Sequence, residues 1–416
     1  MKLSWYHSML VIVAIGVFFT NLPEFIHHLD PTDTRLLPKN WVIAFSVAAF
    51  PVLLRKGTLE AIIRSPVIFW CFGYLWISLV WFFPSSQDEG AWREVRLRVM
   101  AGMELLTMTA VLCSPQAIRL AQRMLVGAVL FGVGVNLYEL FAPMTFSFVA
   151  GRSAGFYINP NQAGQALVLG MILGINGVKL QWRIPFVLLT GAGVLATFSR
   201  GSIVVWLLAM GIMLVAQKVR TRDLLLALAV SVAVGIFLIV PRLDNWVGTW
   251  EQAGTLNHDV KERLEWLSNP FGVSDHSSWS RATAARDAWD KFAERPFSGL
   301  GTGASYRAVV EPHNQYLALM VDHGIIGAAI LPLLLLSITW WAREKDQVIA
   351  RVFSLSVLTL GFSTHTILID EHSLILFSLL AAMSWASSIK APYDEAQEVR
   401  RSPVMQEEVA LRVPVV

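Results

Sequence analysis

His313 and Asn314 stand just after a glycine-rich stretch, Gly299-Leu300-Gly301-Thr302-Gly303, and open a short apolar-faced segment that ends at Val321. Histidine accepts a proton near neutral pH, and Asn314 or Glu311 beside it can orient the ring. Three arginines, Arg152, Arg200 and Arg281, lie in polar breaks between apolar runs. A guanidinium binds phosphate or carboxylate oxygens through paired N–H donors. The chain therefore offers one general base and several anion-binding groups.

Each of these residues has two readings. Ser280 can cap a helix from Arg281 to Glu294, which puts Arg281 in the first turn, where the helix dipole disfavours a cation by roughly 0.3–1 kcal/mol. An anion bound there would reverse that cost; otherwise Arg281 is a solvated surface residue. Arg200, within Phe198-Ser199-Arg200-Gly201-Ser202, is flanked by hydroxyls that suit phosphate oxygens, or it snorkels at an interface. Arg152 precedes Asn159-Pro160-Asn161, where Asn161 can cap the next helix. Gly301 and Gly303 can form a backbone nest for an anion or a tight turn that lets two loops pack, and they match neither a Walker loop nor a dinucleotide fingerprint.

No metal or cofactor is expected. His27, His28, His258, His276, His365 and His372 lack the spacing of a ligand set and read as structural. Cys71 and Cys113 fall in apolar segments and read as packed thiols. Asp322 and His323 read as partners for a neighbouring helix, not as catalytic groups.

The elements that carry these residues are those of a membrane protein. Of 416 residues, 55% are apolar and 15% charged, and the mean hydropathy is +0.54, values that point to an all-α polytopic chain. Apolar runs long enough for about twelve transmembrane helices begin near Trp5, Trp41, Pro66, Val95, Leu120, Gln162, Ile184, Ser202, Leu224, Ile325, Val348 and Ser373. The first reads as a retained helix, without a cleavage site. A net charge of +3 spread between spans gives no basis for nucleic-acid binding. Lys and Arg collect in the even-numbered connectors, which makes those connectors and both termini cytoplasmic. The organisation expected is helices 1–9 over residues 1–241, an outer, mainly helical loop over 242–322 ending in an interfacial helix from His313, helices 10–12 over 323–389, and a solvated, disordered cytoplasmic tail over 390–416. The outer connectors then hold Arg152, Arg200, Arg281, His313 and the loop with His365, Asp370, Glu371 and His372. Arginines there oppose the positive-inside bias and call for an anionic ligand.

In their order, Phe198-Ser199-Arg200-Gly201-Ser202, Arg281 with Trp289, Arg295-Pro296-Phe297 before the glycine turn, and His313-Asn314-Gln315-Tyr316-Leu317 before Gly324-Ile325-Ile326-Gly327 resemble the O-antigen ligase and polymerase superfamily of the bacterial inner membrane. Asp322-His323 departs from the pattern of a carboxylate followed by an apolar residue. The resemblance implies glycosyl transfer from an undecaprenyl-diphosphate-linked glycan at the periplasmic face. One dominant loop and the His-Asn motif resemble the ligase, whose acceptor is lipid A-core. An O-antigen polymerase and a protein O-oligosaccharyltransferase are the alternatives within the superfamily. On this reading His313, Arg281 and Arg200 are catalytic, and Arg152, Asn314, Gly301 and Gly303 bind substrate. Reading the residues without the resemblance leaves a different class open, a transporter of lipid-linked glycans, which would spread its charges through the depth of the spans.

Overall fold

The computed structural model describes residues 3–149, 151–216, 222, 276–307 and 312–401. The predicted span from Leu224, His258 and Glu311 lie outside them. Among the described residues every regular element is helical. Helix starts follow local chemistry. α1 (Trp5–Val13) is capped by Ser4 and passes through a π-helical segment, Ala14–Phe19, to α2 (Leu22–Leu29) with a 54° bend. α3 (Pro38–Leu53) and α4 (Lys56–Arg64) meet at 110°. α5 (Pro66–Val80), α6 (Glu89–Leu112) and α7 (Pro115–Glu139) are capped by the side chains of Ser65, Asp88 and Ser114. α8 (Pro160–Gly174) is capped by Asn159. Pro66, Pro115 and Pro160 each take the first helical position, where the missing N–H costs nothing and φ is already helical.

α8 is the centre of the bundle. Its residues from Ala163 onward are all buried, between α7, α9 (Arg183–Ala196), α10 (Arg200–Val215) and a later helix, α14. The second half of the chain adds α11 (His276–Glu294), α12 (Gln315–His323), a 3-10 segment (Gly324–Ala329), α13 (Ile330–Thr339), α14 (Glu344–Leu360) and α15 (Glu371–Arg401). α15 packs along α6, and α14 lies against α10.

By length and composition, two helical stretches among the described residues can cross a membrane, Pro115–Glu139 and Gln315–Thr339, or four stretches when each bent pair counts as one span. Twelve spans are therefore more than this criterion supports. The predicted starts among the described residues fall on helices, but α5, α9 and α10 are short, and α6 carries Glu94, Arg98 and Glu104 in its interior.

Three boundaries differ from the sequence reading. α11 begins at His276, because no glycine or proline separates that residue from Arg281, so Ser280 is not its cap and Arg281 sits beyond the first turn. Its buried face is Ala284, Ala288 and Phe292, with Trp289 exposed. α12 begins at Gln315, two residues later than His313, because Asn314 Oδ1 accepts the N–H groups of Tyr316 and Leu317 at 3.0 and 3.1 Å. α15 continues to Arg401 where a disordered tail was expected from residue 390, through a stretch rich in alanine, glutamate and arginine, all good helix formers.

Candidate functional site

The glycine turn is built around Asp322. Leu300 and Gly301 donate their N–H groups to the carbonyls of Val321 and Asp322, at 2.9 and 3.0 Å. Gly303 and Ser305 donate theirs to the Asp322 carboxylate at 3.2 and 2.9 Å. Thr302 N–H reaches Trp81 O at 3.0 Å, and its hydroxyl reaches Ser78 O at 2.8 Å. Gly301 (φ 98°) and Gly303 (φ 82°) occupy the left-handed region, and a Cβ on either would come within 3 Å of Ser85 or Ala91. An anion nest needs outward-facing N–H groups, and here those of Gly301 and Gly303 are already spent. The turn is a bracket that fastens α12 to α6 and to the end of α5.

Arg98 completes that bracket. Its guanidinium, 2% exposed, lies 2.7 Å from Asp322, 3.2 Å from Glu94, 3.2 Å from Ser78 Oγ and 2.5 Å from His323 Nε2. Arginine can only donate, so His323 accepts through Nε2 and is neutral. The sequence reading of Asp322 and His323 as partners of a neighbouring helix agrees with this geometry, but it did not find Arg98. The available signal was the pair Glu94 and Arg98, one helical turn apart at the edge of an apolar run, although Arg93 and Arg96 beside them dilute it.

His313 is exposed, directly before the Asn314 cap, and its ring centre lies 5.5 Å from that of His365. Tyr306 approaches His365 at 6.1 Å, and the Arg93 guanidinium stands 5.9 Å from the Tyr306 ring. Sequence spacing had set His365 aside as structural, whereas the fold brings it beside the candidate base. Behind these rings lies a cavity of about 20 Å³ that reaches Glu94, Arg98 and Asp322.

Arg152 is 8% exposed and holds two segments together. It donates to Thr197 O at 3.1 Å and to Asn161 Oδ1 at 3.0 Å, thereby joining the start of α8 to the turn before Arg200. Asn159, not Asn161, caps α8. The carboxylate of Glu139, unnoticed in the sequence, accepts the N–H groups of Phe146, Ser147, Ala154 and Gly155 at 2.5–2.9 Å and so shapes the loop that carries Arg152.

Arg200 is the first residue of α10, after Ser199. The next residue, Gly201, packs on Ser363, and Gln315 N–H donates to Gly361 O at 2.8 Å. Arg200 and His313 therefore both flank the loop after α14. Arg281 is half-buried on α11, which packs against α12.

That same loop carries Asp370, half-buried, whose carboxylate accepts from Gln162 Nε2 at 3.0 Å and Thr366 Oγ1 at 2.8 Å. Enclosure by the packed loop pushes its carboxyl up to about 7, against the downward pull of the Thr366 hydrogen bond and with Glu24 adding to the rise. Among the described residues no group of three His, Cys, Asp or Glu side chains could hold a metal ion.

Comparison with curated proteins gave no match. Residues 185–332 match the family model described as O-antigen ligase. That stretch contains Arg200, Arg281, the glycine turn, His313, Asn314 and Asp322, while Arg152 lies outside it. This match supports membership in the O-antigen ligase/polymerase superfamily.

Proposed function

We propose that this protein is an O-antigen ligase of the bacterial inner membrane, transferring a glycan from undecaprenyl diphosphate to a sugar hydroxyl of lipid A-core. The observation that carries the reading is the O-antigen ligase match over residues 185–332, which holds the exposed His313 together with Arg200 and Arg281. On this reading residues 242–322 form the periplasmic loop, and transfer takes place at the periplasmic face.

His313 takes the proton of the acceptor hydroxyl as its oxygen attacks the anomeric carbon, and the bond from that carbon to the diphosphate oxygen breaks. Undecaprenyl diphosphate is a good leaving group once its charge is met, so the task of Arg200 and Arg281 is to position and neutralise it, without need of a metal. Arg152 supports them by fixing the turn before Arg200, and Asn314 fixes His313 by capping α12. Direct displacement inverts the anomeric configuration.

The test is genetic. The gene is deleted and lipopolysaccharide compared on a gel after restoring either the intact protein or His313→Ala at equal abundance. Core without polymer in the deletion, polymer accumulating on the lipid carrier, and no rescue by the variant are expected. A single repeat left on core would make the protein a polymerase, and full rescue by His313→Ala would remove the histidine from the mechanism.

A further inference from the structure

Two side chains that line one small space each carry a buried acceptor oxygen. Glu94 and Gln315, each 4% exposed, both line the cavity behind Tyr306 and His365. Glu94 Oε2 is engaged by Arg98, while its Oε1 has no hydrogen-bond partner among the described residues, and neither does Gln315 Oε1. A buried polar oxygen left without a donor costs about 1–3 kcal/mol. As placed, two acceptors do not satisfy each other, and a water between them, with two O–H donors, can serve both. The cavity measures about 20 Å³. One water needs roughly 10–15 Å³ and at least two polar partners, so a single water fits and a sugar or phosphate does not.

We propose that this cavity is a water site linking His365 to Glu94, and that Glu94 is the proton-relay residue that drains His313 during transfer. The proposal rests on the reading of His313 as the base. His313 is exposed, its ring lies 5.5 Å from that of His365, and His365 itself lines the cavity. The acceptor O–H bond breaks as the new C–O bond forms. The proton goes to one ring nitrogen of His313, the other nitrogen releases its proton to His365, and the cavity water passes a proton on to the Glu94 carboxylate. With Glu94 ionised, the water donates to Glu94 and Gln315; with Glu94 protonated, the carboxyl donates to the water and the water to Gln315. After product leaves, the proton returns to solvent by the same path, so nothing is oxidised or reduced.

Charge supplies the driving reason. A second cation at His313 is disfavoured in a site built on arginines. Behind the cavity the balance is reversed: Glu94 and Asp322 share the single guanidinium of Arg98, and His323 is neutral. Tyr74 of α5 closes the same cluster, 5.5 Å from Arg98. Arg93 from the helix of Glu94 lies toward Tyr306, at the half-exposed end. A proton on Glu94 leaves Glu94, Asp322 and Arg98 together without net charge.

The experiment measures kcat and KM across pH for the full-length protein in lipid nanodiscs, with a lipid-linked glycan as donor and lipid A-core as acceptor. Glu94→Gln is expected to lower kcat by about 10- to 100-fold with KM for both substrates unchanged. The lost rate should return in part as imidazole buffer concentration rises, since a small base can then drain His313 directly. Wild-type kcat in Glu94→Gln, or a loss that does not respond to imidazole, would overturn the relay. Should Glu94→Gln fail to fold, Ala318→Val decides, because Ala318 lines the cavity and the added methyls displace the water without touching a charge. An imidazole-responsive loss of kcat in Ala318→Val supports the relay, and unchanged kcat overturns it. Absence of transfer by the wild-type protein in the same assay would instead overturn the ligase reading, and the relay with it.

Discussion

Arg98 and Asp322 lie 224 positions apart in the chain and meet at 2.7 Å in a pocket where both are almost fully buried. Through this pair α6, α12 and the glycine turn become one unit, because the same carboxylate also receives the N–H groups of Gly303 and Ser305.

Removing one partner strands the other charge. Arg98→Met or Asp322→Asn should each destabilise the protein by about 3–5 kcal/mol, the range for breaking a buried pair from one side. Arg98→Met combined with Asp322→Asn should cost less than the two single changes added, since neither Arg98 nor Asp322 is then left as a charge stranded by loss of the other. Thermal unfolding of purified single and double variants measures this. Strictly additive losses would show that the pair is not coupled.

The glycine turn gives a second prediction, one that separates a bracket from an anion nest. Gly303→Ala places a Cβ within 3 Å of Ala91 and forces a positive φ, at a cost of roughly 1–3 kcal/mol. The expected phenotype is lower thermal stability and abundance, with an unchanged KM for the lipid-linked donor in the surviving protein. A raised donor KM at wild-type stability would return the turn to the binding site.

The helix boundaries were legible where one residue decides them. Ser65-Pro66, Ser114-Pro115 and Asn159-Pro160 announce helix starts through a side-chain cap and a fixed φ, and the structure begins helices there. Asn314 was read as a neighbour that orients His313, and its role as the cap of α12 came only with the structure. The Arg98–Asp322 pair, the approach of His365 to His313 and the four N–H groups on Glu139 were not legible, because each depends on which distant helices touch. Hydropathy also understates α6: Glu94 and Arg98 are buried and paired, yet each lowers the sum along the helix as a solvated charge would.

Asp370 sets a pH dependence of stability. Its carboxyl titrates at about 7 in the folded protein against an ordinary value of 3.8, so the folded state holds a proton that the unfolded chain has released. Stability from this group is present below pH about 4, falls as pH rises through the interval up to about 7, and changes no further above it. Asp370→Asn cannot ionise. The difference in melting temperature between wild type and Asp370→Asn should shift in favour of the variant from pH 5 to pH 8, and a difference constant with pH would refute the assignment.

Glu139 makes the last prediction, and it bears on Arg152. A carboxylate at the C-terminal end of α7 is disfavoured by the helix dipole, yet here four backbone N–H groups from residues 146, 147, 154 and 155 converge on it. Ser147, held by this carboxylate, donates its hydroxyl to Arg152 O at 2.9 Å, so the loop's shape passes directly to the arginine. Glu139→Gln keeps the volume but turns one acceptor into a donor that faces N–H groups. About two hydrogen bonds are then lost, at about 1–3 kcal/mol for each buried group left unpaired. Limited proteolysis should cut Glu139→Gln between residues 142 and 155 where wild type resists, and the KM for the lipid-linked donor should rise as Arg152 loosens its hold on Thr197. Arg152→Lys separates the two effects: the Glu139 cradle stays intact and the loop resists protease, while lysine cannot span Thr197 and Asn161 in the fixed fork of a guanidinium, so only the donor KM should rise. Protease resistance and donor KM unchanged in Glu139→Gln would mean that the loop is shaped by its aromatic packing of Phe146 on Phe156 and not by the carboxylate.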